Sequence, residues 1–225
     1  EVAKLIEGLI KDTEETSDFE SVADVAAENA VYSGLGFIRI ITDFVSEDSF
    51  NQEPRFMMVT NPQAVYIDPQ SRAFDGSDMN WAIVGEWIDK DSAEKQYGDD
   101  LVNFDLENYS HWCNDNDKSV RIVEYFKKEQ VPDQLLMLTD GTIGFKSELM
   151  KDLDVSEDEL KPLIQNERET TRTAIKWYKV SGNKVLDETE FPGKYIPIVP
   201  VYGGVTFVEE KRYIFSLIHF AKDSQ

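Results

Sequence analysis

Four groupings in this sequence carry residue types that could do chemistry. Gly34 and Gly36, in "SGLGFIRI" (33–40), stand beside regular structure as the glycines of a phosphate loop do. His111 and Cys113 flank Trp112, the neighbourhood a cysteine nucleophile needs. In "DLDVSEDEL", Asp152, Asp154 and Ser156 occupy positions 1, 3 and 5 of a calcium-loop pattern. The 44 Asp and Glu offer pairs for carboxylate glycoside hydrolysis, and Trp81, Trp87, Trp112 and Trp177 offer a lining for a sugar groove.

Each grouping has a plainer reading. A dinucleotide loop runs strand, glycines, helix, so that the pyrophosphate meets a helix N-terminus. Here the order is helix, glycines, strand, and Arg39 stands where a third glycine belongs. Gly34 would face a helix C-terminus, whose partial negative charge repels phosphate. No Walker-type Gly-Lys-Ser/Thr and no Gly-x-Ser-x-Gly elbow occurs. The calcium pattern fails at Glu157 in the sixth position and Leu163 in the twelfth. Ser156 and Glu159 read instead as a capping box, and "NDNDKS" (114–119) as a polar turn. Cys113 reads as an ordinary loop thiol. The single cysteine rules out an internal disulfide, which suits a reducing cytoplasm, and two histidines with one cysteine argue against a Cys/His zinc site. Trp81 and Trp87 share parity with apolar neighbours and are expected in or against the core. Among 44 acids some pair always exists, so pairing alone assigns nothing. No residue is therefore assigned a catalytic, cofactor-binding or metal-binding role, and no cofactor is expected.

The elements that would position these residues come next. A chain of 225 residues with 41% hydrophobic and 12% aromatic residues can bury a proper core. No apolar run approaches the ~20 residues a membrane helix needs. The net charge of −21 is uneven: residues 1–117 hold 7 Lys and Arg against 26 Asp and Glu, whereas residues 118–225 hold 16 against 18. The first half repels phosphate backbones. It is either a solvated surface or one that faces a basic neighbour.

"EVAKLIEGLIKD" spaces Leu5, Ile6, Leu9 and Ile10 along one helical face. A second helix is expected from Ser17, boxed with Glu20, presenting Phe19, Val22, Ala26 and Ala30 and ending at Gly34 in the left-handed conformation. Gly36 is expected to swing the chain into a strand at Phe37. Strand grammar follows in "FIRIITDF", "EPRFMMVT", "AVYID", "NWAIVGEWI" and "SVRIVEYF", with a short helix "DSAEKQY" ending at Gly98 and an acidic surface loop over 99–117. Hairpins are expected at Asp140-Gly141 and at Ser181-Gly182-Asn183, with a helical stretch over 147–166 between them. The prolines of "YIPIVPVYG" confine it to an edge. The tail "KRYIFSLIHFAKDSQ" reads as an amphipathic helix without a stop signal. The class is α+β: an N-terminal helical pair followed by a mainly antiparallel, hairpin-rich body.

The ordered stretches "GLGFIRIITDF", "NPQAVYIDPQS", "DGSDMNWAIVGEWIDKD", "VRIVEYF", "KWYKVSGNKVLDETEFPGKYIPIVPVYG" and "LIHFAKDSQ" resemble the portal proteins of short-tailed, podovirus-type bacteriophages, from about Ala23 to Gln225. The resemblance implies a helical segment over 1–36, a wing-like β body over 37–212 and the start of a stem helix over 213–225. It implies a non-enzymatic subunit of a ring, usually of about twelve copies, at one vertex of the capsid. Such a ring lets DNA pass without sequence-specific binding, and it docks terminase, tail or adaptor proteins and capsid or scaffolding proteins. The location implied is the virion, after assembly in the host bacterial cytoplasm, with no membrane. Clip, stem and tunnel residues would lie outside these 225 positions, so none is carried over. The other readings are an acidic protein- or metal-binding module and a carboxylate-based hydrolase.

Overall fold

The computed structural model describes residues 2–98, 119–182, 184–209 and 211–219. His111, Trp112 and Cys113, the acidic loop, and most of "NDNDKS" lie outside the described residues. Two helices, α1 (Val2–Thr16) and α2 (Phe19–Ser33), lead into antiparallel sheets, as the α+β reading expects. In the first sheet, β1 (Leu35–Phe44) lies between β2 (Gln52–Met58) and β9 (Ile198–Tyr202). The second sheet has the order β3 (Val65–Ile67), β4 (Trp81–Asp89), β5 (Ser119–Leu138), β7 (Ile164–Ser181) and β8 (Lys184–Phe191), with β6 (Ile143–Phe145) added to β5. A separate ribbon pairs β10 (Gly204–Val208) with β11 (Lys211–Phe215). The described residues also form the short helices α3 (Lys90–Tyr97), α4 (Lys146–Asp152) and α5 (Glu157–Leu160).

The main core lies between the two sheets. Phe37 from β1 and Ile198 from β9 meet Ala82, Phe126 and Ile175 from β4, β5 and β7, all buried. On its other face the first sheet takes α2 through Val22, Ala26 and Ala30, its three buried residues. The small alanines set how closely this helix sits. A Cβ on Gly36 would lie 2.0 Å from the Ala26 carbonyl oxygen, so only glycine fits there. The reason for Gly36 is thus close approach of strand to helix, not the swing into the strand. Gly34 behaves as expected: φ is 89°, and its N–H donates to Ala30 O at 3.0 Å, ending α2.

Four other expectations change. Ser17 does not cap α2. The cap position is Asp18, left-handed at φ 47° and without a side-chain cap bond, while Ser17 Oγ accepts the N–H of Phe56 on β2 at 3.0 Å. The hydroxyl serves an edge-strand amide rather than the helix. "SVRIVEYF" is only the first part of β5, which continues through Pro132 to Leu138. Pro132 lies beyond the last β4 partner, Lys127, and before the first β6 partner, Leu135, so its missing N–H interrupts no ladder on that edge. Residues 147–166 form two short helices and a 3-10 turn, and β7 has already begun at Ile164. The helical reading of the tail also fails from its start: Lys211–Phe215 is a strand, in register Val208↔Lys211 to Gly204↔Phe215. Aromatic and β-branched Tyr213, Ile214 and Phe215 suit a strand, and β10 supplies their partner. Leu217–His219 then makes a 3-10 turn.

The proline-rich segment becomes β9, on the edge of its sheet, with Pro200 opposite Phe37. At the far end of the long β5–β7 ribbon, Leu136, Leu138, Leu149 and Leu160 form a second small core that seats α4 and α5.

Candidate functional site

The two sheets are packed tightly at Phe37 and part further along β1, leaving a cleft of about 1150 Å³. Arg39 and Met57 line it from the first sheet; Trp87, Glu124 and Trp177 line it from the second. Alternation on β1 places Arg39 on the same face as Phe37, so a cation points between the sheets where the next apolar residue would otherwise sit. It is met from β5: Arg39 Nη2 lies 2.6 Å from Glu124 Oε2. The same oxygen accepts Trp177 Nε1 at 2.7 Å. Both charged side chains are nearly buried, at 15% and 13% exposure. Burying such a pair costs desolvation, which close, charge-assisted bonds must offset.

Further out the lining is aromatic and basic. The Arg121 guanidinium lies 6.0 Å from the Trp87 ring centre. Lys179 Nζ lies 5.4 Å from that of Trp177 and donates to Tyr97 Oη at 3.1 Å. Trp87 is 47% exposed, so the expected core placement of this tryptophan is wrong: it forms part of the cleft wall. Trp81 is half-buried.

A second ionic group lies where the long ribbon leaves the sheet. Arg172 Nε is 3.0 Å from Asp133 Oδ2, and Arg172 Nη1 is 2.9 Å from Glu190 Oε1. The hydrogen bond from Arg172 holds Glu190 below the ordinary carboxylate range against the opposing effect of burial. A general acid needs the opposite shift. Glu124 is likewise committed to Arg39 and Trp177. What this arrangement does chemically is hold two sheets in register and present a groove of Trp, Met and Arg, the side chains that carry binding energy at protein interfaces.

The calcium-like stretch resolves as a cap: Ser156 N–H and Oγ both donate to Glu159 Oε2, at 2.9 and 2.7 Å. Among the described residues no group of three or more His, Cys, Asp or Glu is placed to hold a metal ion, and no helix is long and apolar enough to cross a membrane. The Arg39–Glu124–Trp177 contact was not anticipated from the sequence. Its signal is present there as one charge inside each of two apolar strands, "FIRII" and "RIVEYF", but pairing the two requires the fold.

The family model for the phage P22-like portal protein matches residues 1–225. A curated portal protein of Acyrthosiphon pisum secondary endosymbiont phage 1 is 26% identical over 238 residues, covering all of this chain and 33% of that relative. The chain thus spans about a third of the relative's length. With every residue inside the family match, the chain belongs to the P22-like phage portal protein family.

Proposed function

We propose that this chain is the wing-like part of a portal subunit, which works by assembly and not by catalysis. Copies join into a ring at one capsid vertex, DNA is packaged and ejected through it, and terminase, tail or adaptor proteins and capsid or scaffolding proteins dock on it. The observation that carries this reading is the family match from the first residue to the last. The charge distribution supports it: a first half at 7 basic against 26 acidic residues lets DNA pass without gripping it. Residues 1–36 act as the helical segment and 37–212 as the wing-like body, in the virion after assembly in the host cytoplasm. Electron microscopy of the complete polypeptide that contains this chain tests the reading. Rings with a central channel are expected; their absence under every assembly condition overturns it.

A further inference from the structure

Helix α1 has no buried residue. Its apolar positions Val2, Leu5, Ile6, Leu9 and Ile10 are 71, 66, 51, 59 and 52% exposed. Their spacing (i, i+3, i+4, i+7, i+8) makes one continuous stripe, and at 100° per residue Lys4, Glu7 and Lys11 fall on the opposite side. A helix of this length is marginal in water unless something packs on its apolar face. The same chain carries an open groove. At about 1150 Å³ the cleft between the sheets exceeds the ~300–1,000 Å³ of small-molecule sites, and its wall includes Met57, Trp87, Arg121 and Trp177. With α1 in its place beside β2, the cleft of its own chain stays open.

We infer that the apolar stripe of α1 docks into the cleft of a second copy of this chain. Charge favours a second copy bound in this way. Two chains at −21 each repel one another, so a contact between them has to be locally neutral. The stripe carries no charge from Val2 to Ile10, and the cleft lining holds equal numbers of the two signs, Arg39, Arg121 and Lys179 with Glu86, Glu124 and Glu190, of which Arg39 and Glu124 pair directly and Glu190 is held by Arg172 beside it. Donor helix and acceptor cleft are different surfaces of one chain, so the contact is heterologous and propagates head to tail. Where the rotation closes, such a contact makes a ring. A helix face read at i, i+3, i+4 and i+7 by an aromatic and methionine groove is an established mode of recognition.

This inference rests on the portal reading for its partner, and its test is separable from that reading. In a Cys113→Ser background, one tagged copy carries Leu9→Cys and a differently tagged copy carries Met57→Cys, joined by a short bismaleimide. Crosslinked heterodimers are expected at about fivefold or more the yield of a Lys11→Cys and Met57→Cys control, since Lys11 lies on the other face of the helix. Equal yields, no heterodimer at the highest soluble concentration, or a crosslink formed only within a doubly substituted copy overturns the inference. Leu5→Asp with Leu9→Asp is the second arm. It removes no buried contact, so the melting temperature should hold while self-association in sedimentation weakens about tenfold or more. Unchanged self-association overturns the inference. If either arm fails while the complete polypeptide still forms rings, the portal reading stands and the docking inference alone falls.

Discussion

Arg39 and Glu124 meet at 2.6 Å across the two sheets, from positions 85 residues apart in the chain. Each is nearly buried, so neither can lose its partner cheaply. Arg39→Met should leave the Glu124 carboxylate unpaired and cost about 3 kcal/mol. Adding Glu124→Gln, which keeps an acceptor for Trp177, should recover part of that loss. Urea unfolding of the two single variants and the double variant gives the coupling. Additive losses would show that the ion pair contributes nothing beyond its separate members.

Ser17 and Glu20 offer a sharper test of local structure. A capping box would make both residues matter to α2. In the fold, Ser17 Oγ instead holds the Phe56 amide of β2. Ser17→Ala should therefore cost about 1 kcal/mol through a lost hydrogen bond, whereas Glu20→Ala should be close to neutral. Equal losses in thermal unfolding would restore the capping box.

Gly34 and Gly36 should separate in the same way. Gly34 adopts φ 89°, and a Cβ there would also come within 2.9 Å of the Phe215 carbonyl carbon, where the last strand passes. Gly36→Ala has to force β1 off the Ala26 carbonyl, which cannot move without moving the helix. We expect about 1–2 kcal/mol for Gly34→Ala and about 3 kcal/mol or more for Gly36→Ala, read from melts followed by circular dichroism. The reverse order would mean that strand and helix are not in contact there.

These pairs show what could be read in the sequence and what could not. Val22, Ala26 and Ala30 at helical spacing announced the face of α2 that packs, and Asp140-Gly141 announced a hairpin, because both depend on neighbours close in the chain. Ser17 was misread because a hydroxyl three residues before a glutamate fits a cap equally well, and its true partner is 39 residues away. Tyr213 to Phe215 were misread because an amphipathic run so short suits either period, and β10 decided between them. Pro132 concealed the length of β5, since its effect depends on which neighbouring strands are present at that point. Trp87 was misread for a related reason: it shares parity with the apolar Trp81 and Ile83, whereas the face of β4 that enters the core carries Ala82 and Val84, and only the packing of the sheets decides which face that is.

Acid should expose the third relationship, Arg172 between Asp133 and Glu190. The hydrogen bond from Arg172 lowers Glu190, with burial opposing. Burial pushes Asp133 up, but bonds from Ser147 and the Gln134 N–H, with the Arg172 charge, leave it lowered overall. A carboxylate lowered in the folded state binds more protons when unfolded. Its stabilisation is therefore complete above the ordinary range of about 4–4.5 and is lost as pH falls through the lowered folded values. Acid also relieves repulsion within a chain at −21, which acts in the opposite direction, so the wild-type curve alone does not isolate the triad. The difference does. Between about pH 5 and 2 the melting temperature of Glu190→Gln should fall less steeply than that of wild type, because the substituted side chain no longer takes up a proton on unfolding. Parallel curves would mean that Glu190 titrates alike in both states and that Arg172 does not hold it as its charge.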